Sequence, residues 1–166
     1  MTKYNKVFLL LGSNIEPRYD YIKKAEEQIS ENIGKIIQSS HIYESEPLGF
    51  TAEVSFLNRV LFINSKLSAS SILNTIHLIE KGLGRKRTSL GYASRTIDID
   101  ILYFNNDIIN SENLTVPHAR LHQRKFTLLP LVEIAPNYVN PVLKNNNAKL
   151  LELCTDISKV NTYKLQ

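Results

Sequence analysis

The 166-residue chain has few of the features that mark secreted, membrane-spanning or disordered proteins. It contains one cysteine, so no disulfide can form within the chain and a reducing compartment is expected. No apolar run approaches the roughly 20 residues of a membrane span, and residues 7–11 are too few for a signal-peptide core. We therefore expect a cytoplasmic protein with one domain, residues 1–166, and no membrane partner.

Common nucleotide-binding and nucleophile motifs are absent as well. Residues 82–87, GLGRKR, lack the third glycine of a dinucleotide-binding loop, and nothing matches G-x-x-x-x-G-K-[ST]. Ser13 does not lie in a G-x-S-x-G motif, and four histidines with one cysteine show no zinc-binding spacing. Phosphates, if they bind, must be held by side chains and metal ions, and no protein nucleophile is expected.

The most informative segment present is RTIDIDILYF, residues 95–104. Ile97, Ile99 and Ile101 alternate with Asp98 and Asp100, which predicts a half-buried β-strand with both acids on one face. Burying two unpaired carboxylates would cost roughly several kcal/mol each. The acids therefore require a cationic partner.

A cationic segment directly precedes this strand. The chain carries a net charge of +4, and residues 85–95, RKRTSLGYASR, include no acid. One interpretation leaves Asp98 and Asp100 facing water or paired with Arg87 and Arg95. The other places Mg²⁺ on the acids, because magnesium is usually held by one or two carboxylates together with substrate phosphates, and arginine binds phosphate oxygens bidentately. The concentration of both groups in sixteen residues favours the second.

Hydrophobic periodicity predicts the element order βαββαβ. The expected strands are residues 6–11, 35–45, 54–66 and the acidic strand, and Gly12, Ser13 and Asn14 are expected to form a turn. The first helix has an apolar stripe beginning at Ile22, and Ser68 is expected to cap the second. This order is that of a ferredoxin-like α+β sandwich, with helices on one face of an antiparallel sheet and the other face left for ligands. A C-terminal extension follows, with a helix over residues 121–134 interrupted near Pro130.

The extension contains a second cluster of polar groups, VPHARLHQRKF, residues 116–126. His118, His122 and Arg124 supply cationic or titratable groups, and Phe126 is an aromatic that could stack on a flat ligand. His41 and His77 lie outside the cluster and are interpreted as structural or surface residues.

The segments RTIDIDILYF and LTVPHARLHQRKFTLLPL resemble the 6-hydroxymethyl-7,8-dihydropterin pyrophosphokinase family, whose signature strand is R-T-[IL]-D-[IL]-D-I. The resemblance extends through LLLGSN near the start, YESEPLG at 43–49, FLNRV at 56–60 and LLPLVEIAP after the histidine segment. It implies transfer of pyrophosphate from ATP to 6-hydroxymethyl-7,8-dihydropterin, giving AMP and the pterin diphosphate, in folate biosynthesis.

The resemblance also implies a role for individual residues. Two Mg²⁺ ions would bind Asp98 and Asp100, and the catalytic residues would be Arg85, Arg95, Asp98 and Asp100. The residues implied to bind ATP are Glu80, Arg87, Ile101, Thr115, His118 and Arg124. Those implied to bind the pterin are Ser45, Pro47, Leu48, Phe56, Asn58 and Phe126, with the ring between the two phenylalanines.

The sequence departs from the family pattern at three places. The loop before Arg95 usually carries a basic residue, an aromatic and Gly-Pro, whereas this chain has Gly91-Tyr92-Ala93-Ser94. Phe56 stands where a tyrosine is often found, and Ala119 where a larger residue can occur. These changes bear on affinity rather than on the reaction class.

Two other functions compete with this one. The βαββαβ order also serves RNA-recognition domains, but the chain lacks their aromatic-rich strand and its two acids would repel a phosphate backbone. A metal-dependent kinase with another acceptor, or with ADP as product, is the second rival. We expect a monomer that binds ATP and the pterin, without a nucleic-acid partner.

Overall fold

The computed structural model describes residues 2–46, 54–86 and 94–165. Their strands are β1 (Asn5–Ser13), β2 (Gly34–Ser39), β3 (Tyr43–Ser45), β4 (Phe56–Ser65), β5 (Asp98–Phe104), β6 (Ile109–Asn110), β7 (Thr115–Val116) and β8 (Val160–Thr162). The helices are α1 (Arg18–Asn32), α2 (Ala69–Gly82), α3 (Lys125–Ile134) and α4 (Asn147–Leu153), with a 3-10 turn at Leu121–Gln123.

The main sheet is antiparallel, and β1 lies between β4 and β5. Strand β4 pairs along its other edge with β2 at one end and β3 at the other, and β8 pairs with β3. Strands β6 and β7 form a separate two-stranded sheet. The mixed α/β architecture with an antiparallel sheet is as predicted. Within the described ranges, no helix has the length and apolar composition needed to cross a membrane.

The face of the sheet that carries α1 and α2 holds the larger hydrophobic core. Alternate residues of β1 and the acidic strand β5 point into it, among them Leu9, Leu11 and Ile99. Ile22 of α1 and Ile76 of α2 are fully buried against them. The predicted cap of α2 is also confirmed, because Ser68 Oγ accepts a hydrogen bond from the Ser71 N–H at 3.2 Å.

The opposite face is not open, which corrects the expectation that it is left for ligands. A second core contains Phe8, Leu10 and Leu102 from the sheet together with Leu128 of α3 and Leu150 of α4. Helices α3 and α4 therefore cover the middle of this face, because its apolar side chains require burial. Among the described residues, Gly12, Asn58 and the two aspartates at one end of the sheet line a pocket that a ligand can reach.

Three predicted element boundaries are wrong. The single strand expected over residues 35–45 is two strands, because Ser40 Oγ accepts from the Val60 N–H and interrupts the ladder. The helix expected over 121–134 breaks at Arg124, whose backbone is extended, while Pro130 lies inside α3. Gly12 and Ser13 belong to β1 rather than to a turn.

Candidate active site

The two aspartates lie on one face at the start of β5, as the alternation predicted. Asp98 is in register with Gly12 and Asp100 with Leu10 on the neighbouring strand. Their side chains are 23% and 30% exposed, whereas Ile97, Ile99 and Ile101 are buried on the other face. Both carboxylates can therefore reach a ligand at this end of the sheet.

Asp98 is bound by two arginines from the cationic segment. Arg85 Nη1 donates to Asp98 Oδ1 at 2.8 Å, and Arg95 Nη1 donates to Asp98 Oδ2 at 2.9 Å. Glu80, which is 3% exposed at the end of α2, accepts from Arg85 and from the Ile99 N–H. Burial raises the pKa of Glu80, although the Arg85 charge opposes this. Glu80 thus ties Arg85 to β5 and orients it toward Asp98.

Asp100 has a different environment from its neighbour. His118 Nε2 lies 4.0 Å from its Oδ2, and the charges of Arg124 and Arg85 partly compensate its carboxylate. Burial, followed by the negative charge of Asp98, raises the pKa of Asp100 well above its ordinary value. Burial and the nearby charge of Arg124 lower the pKa of His118. The neutral imidazole is therefore favoured, and the Asp100 carboxylate gains most from a further cation.

A first pocket lies on one side of the aspartates, between β4 and α3. It is lined by Leu10, Gly12, Ser45, Glu46, Phe56, Asn58, Arg95, Asp98, Asp100, Arg124 and Phe126. Asn58 is 3% exposed, and its Nδ2 donates to Ser45 Oγ at 2.7 Å. The two phenylalanine rings and the buried amide suit a flat, apolar ligand with a polar edge.

A second pocket lies on the other side of the aspartates. It is lined by Leu73, His77, Glu80, Arg85, Asp98, Ile99, Asp100, Ile101, Asn113, Leu114, Thr115, His118, Ala119, Arg120 and Arg124. Three arginines and two histidines make this wall cationic or titratable, which suits an anionic ligand. Asp98, Asp100 and Arg124 line both pockets, so two ligands can meet at the acids.

The structure brings together the predicted site residues that fall within the described ranges. Four of the residues expected to bind the pterin line the first pocket: Ser45, Phe56, Asn58 and Phe126. Five of those expected to bind ATP line the second: Glu80, Ile101, Thr115, His118 and Arg124. Pro47, Leu48 and Arg87, and residues 91–93 of the departing loop, lie outside the described residues.

Several pocket-lining residues escaped prediction. A Cβ atom at Gly12 would lie 3.4 Å from Asn58 Oδ1, so the missing side chain leaves room in the first pocket. A glycine inside a strand signals such a close approach, but Gly12 was interpreted as a turn residue. His77, interpreted as structural, and Arg120 line the second pocket. No periodic signal in the sequence marks either residue for this position.

The residues at the acids fit magnesium. Oxygen ligands and nearby phosphate-binding cations are what Mg²⁺ sites use, and burial together with the charge of Asp98 raises the pKa of Asp100, so a bound cation would stabilise its carboxylate. Within residues 2–46, 54–86 and 94–165, no three or more His, Cys, Asp or Glu side chains are grouped to hold a metal. Magnesium sites usually combine one or two carboxylates with substrate phosphates and water, so the two aspartates suit such a site.

Comparison with known proteins identifies the family. Residues 8–136 match the family model of 7,8-dihydro-6-hydroxymethylpterin-pyrophosphokinase. The chain is 40% identical over 138 residues to the 2-amino-4-hydroxy-6-hydroxymethyldihydropteridine pyrophosphokinase of Aquifex aeolicus, covering 83% of this chain and 85% of that protein. The enzyme of the same name from Bacillus subtilis is 37% identical, with 78% of each chain covered.

Some similar proteins are much longer. The chain is 37% identical over 150 residues to the folic acid synthesis protein fol1 of Pneumocystis carinii, covering 90% of this chain but only 20% of that protein. A crystal structure of Plasmodium falciparum HPPK-DHPS with pterin and p-hydroxybenzoate has a TM-score of 0.72 at 19% identity, covering 92% of this chain and 43% of that one. Such a likeness shows a shared fold. Together with the family-model match and the close relatives, it shows that the chain belongs to the 7,8-dihydro-6-hydroxymethylpterin-pyrophosphokinase family.

Proposed function

We propose that the chain transfers the pyrophosphoryl group of ATP to the hydroxymethyl oxygen of 6-hydroxymethyl-7,8-dihydropterin, releasing AMP, in folate biosynthesis. As a member of its family the chain is a pyrophosphokinase. The observation that carries the proposal is the meeting of two chemically different pockets at one pair of aspartates. A reaction between a flat ring and a polyphosphate requires this arrangement.

The pterin is assigned to the first pocket. Its ring lies between Phe56 and Phe126. Asn58 and Ser45 form hydrogen bonds with the polar edge of the ring. Offset ring stacking contributes about 0.5 to 1.5 kcal/mol per aromatic pair beyond area burial, while the buried amide provides specificity. Pro47 and Leu48 are proposed to complete this site.

ATP is assigned to the second pocket. The phosphates are contacted by Arg85, Arg95, His118 and Arg124. Arg87 contributes to ATP binding, and the nucleoside is placed with the help of Glu80, Ile101 and Thr115. Arginine suits this task because its planar fork binds two phosphate oxygens at once. Phosphoryl transfer depends mainly on positioning and charge neutralisation, so a wall of cations supports catalysis without a protein nucleophile.

Two Mg²⁺ ions are proposed to bind at Asp98 and Asp100. Bound there, magnesium would neutralise charge on the triphosphate and polarise its phosphoryl oxygens. Asp98 already holds Arg85 and Arg95 at 2.8 and 2.9 Å. These arginines can turn to phosphate oxygens when another cation balances Asp98, which reconciles the observed ion pairs with the proposed phosphate contacts. The competing interpretation, in which arginine pairing is the only purpose of the acids, accounts for Asp98 but leaves the pKa of Asp100 raised by burial and by the charge of Asp98, although Arg124 and Arg85 oppose this.

The chain's own residues then account for the geometry of transfer. The aromatic walls of the first pocket exclude water from the acceptor and orient its hydroxymethyl group toward Asp98. The arginines hold the triphosphate so that this oxygen can attack the β-phosphorus, and the bond from that phosphorus to the α-phosphate oxygen breaks as AMP leaves. Asp98 lies nearest to the attacking hydroxyl. Holding reactants in such a near-attack arrangement removes much of the entropic cost of a bimolecular step.

We also propose a fold type, a location and an oligomeric state for the chain. The order β5-β1-β4-β2 of antiparallel strands supports a ferredoxin-like sheet extended by β3 and β8. We expect a cytoplasmic monomer without nucleic-acid or membrane partners. The acids at the accessible end of the sheet disfavour RNA binding.

The test is incubation of the protein with Mg-ATP and the reduced pterin. AMP released in step with a pyrophosphorylated pterin supports the proposal. Formation of ADP would instead indicate the rival metal-dependent kinase, and absence of turnover together with salt-sensitive RNA binding would indicate the RNA-binding module. Omission of the pterin is the control, since AMP formed without it would mean that water is the acceptor.

A further inference from the structure

Arg18 is a buried arginine outside both pockets, at the first position of α1, and is 9% exposed. Its Nε donates to Glu16 Oε1 at 2.7 Å. Its Nη1 donates to Glu44 Oε2 at 2.6 Å and to the carbonyl oxygen of Ser55 at 2.8 Å. One guanidinium thus connects the start of α1, strand β3 and the residue just before β4.

Two of these contacts directly adjoin the first pocket. Glu44 immediately precedes Ser45, and Ser55 immediately precedes Phe56. Ser45 and Phe56 are register partners in the β3–β4 ladder, and both line the pocket. Arg18 therefore holds the two chain segments whose next residues form one wall of the proposed pterin site.

The charges around Arg18 explain why an arginine is needed. Two carboxylates, Glu16 and Glu44, and one backbone carbonyl converge on it. Without the guanidinium, Glu44 of β3 and the Ser55 carbonyl lose the donor that joins them to each other and to the start of α1. A lysine restores the charge but cannot donate to three acceptors through a planar fork.

Arg59 provides a comparison within the same fold. Its Nη1 donates to Glu26 Oε1 at 2.8 Å, and its Nε donates to the Ser40 carbonyl at 2.7 Å. The chemistry resembles that at Arg18, because a partly buried arginine joins a glutamate and a backbone oxygen. Neither Glu26 nor Ser40 lines either pocket.

We propose that Arg18 is a positioning residue for the pterin pocket, acting through Glu44 and Ser55 on Ser45 and Phe56. This inference rests on the proposed function, since it assigns the pterin to the first pocket. Its consequence is selective: Arg18 sets the affinity for the pterin and leaves nucleotide binding unchanged. A role limited to fold stability would affect both ligands alike.

The test compares Arg18→Met, Arg18→Lys and Arg59→Met by pterin titration, titration with a nonhydrolysable ATP analogue and thermal unfolding. Arg18→Met is expected to raise the pterin Kd and KM about tenfold, since charge-assisted hydrogen bonds that shape the site are lost. The analogue's Kd should stay within about twofold. Arg18→Lys should recover part of the pterin affinity. Arg59→Met should lower the melting temperature but change the pterin Kd much less than Arg18→Met does, because the Arg59 contacts to Glu26 and Ser40 lie away from both pockets.

Equal pterin affinities in Arg18→Met and Arg59→Met would overturn the inference, as would a parallel loss of affinity for both ligands. If Arg18→Met does not fold, Glu44→Gln is used instead. The Glu44 side chain is 41% exposed, so this substitution changes the fold little. A pterin Kd raised about threefold supports the inference, and an unchanged Kd overturns it. Absence of pterin-dependent AMP release by the wild-type protein would instead refute the proposed function.

Discussion

The two pockets share three residues and otherwise differ in almost every physical property. The first has two phenylalanine rings and a buried amide, and the second has arginines and histidines over a buried glutamate. A flat ring is recognised by burial and a few placed hydrogen bonds, whereas a polyphosphate is recognised by charge. This difference indicates that the end of the sheet binds two separate ligands rather than a single long ligand.

The two aspartates that line both pockets also differ from each other in their surroundings. Asp98 makes close ion pairs with Arg85 and Arg95, the first and last residues of the cationic segment. Asp100 lies 4.0 Å from a histidine and has a raised pKa. One acid is compensated by the protein, and the other gains most from a bound cation.

The largest effect should come from removing either acid. Asp98→Asn and Asp100→Asn are each expected to reduce pterin-dependent AMP release by at least about 10³-fold, because magnesium contributes several kcal/mol of charge stabilisation. Circular dichroism should show an intact fold. Asp107→Asn, at an exposed position, is the control. Near-full activity of either site variant would mean that the metal assignment is wrong.

Removal of one cation from the second pocket should affect the nucleotide alone. Arg85→Met is expected to lower kcat/KM for ATP about 10²-fold, since a bidentate phosphate contact is lost. The pterin Kd, measured by titration without nucleotide, should be unchanged. Arg59→Met serves as the matched control. Equal loss of affinity for both ligands would show that the two pockets are not separate sites.

Removal of the amide from the first pocket should have the opposite selectivity. Asn58→Ala is expected to raise the pterin Kd about 10- to 50-fold, because Ser45 loses its donor and the ligand loses a polar partner. Binding of a nonhydrolysable ATP analogue should remain as in the wild type. Asn64→Ala on the same strand is the control. If Asn58→Ala binds the pterin as tightly as the wild type does, the pterin does not bind in this pocket.

The smallest expected effect is on the free energy of unfolding, which should change in opposite directions when Asp98 and Asp100 are substituted. A raised pKa means that folded Asp100 binds its proton more tightly than the unfolded chain does, so its contribution makes folding less favourable as pH rises above about 4. In the absence of magnesium, Asp100→Asn should therefore raise the free energy of unfolding at pH 7 by about 1 kcal/mol. The gain should shrink toward pH 4.

Urea unfolding in the presence of a chelator at both pH values measures this difference. Asp98→Asn should instead destabilise the protein, because Arg85 and Arg95 each lose one carboxylate partner. A stability gain that is the same at pH 4 and pH 7 would contradict the assignment for Asp100.

Local sequence patterns predicted the part of the fold that positions the acids. The alternation around Asp98 and the cap at Ser68 involve residues close together in the sequence. The hydrophobic period and the residue type were therefore sufficient to predict both features. The end of β2 at Ser40 depends on a side-chain contact with β4, which periodicity does not encode. Coverage of the second sheet face by α3 and α4 is likewise a tertiary result.

The same distinction holds for the site. The acidic strand and the histidine segment are contiguous motifs, and their resemblance to a family carried most of the assigned residues. Arg18 was missed because its partners, Glu44 and Ser55, lie 26 and 37 positions away along the chain. Gly12 was missed because the close approach of Asn58 comes from strand pairing.

The central claim is that Asp98 and Asp100 anchor divalent ions that hold the phosphates of a nucleotide. A crystal structure with Mg²⁺, a nonhydrolysable ATP analogue and the pterin tests it most directly. The account predicts magnesium coordinated by both carboxylates, with the pterin ring between Phe56 and Phe126. Ions remote from both acids, with Asp98 and Asp100 bonded only to protein groups, would contradict it.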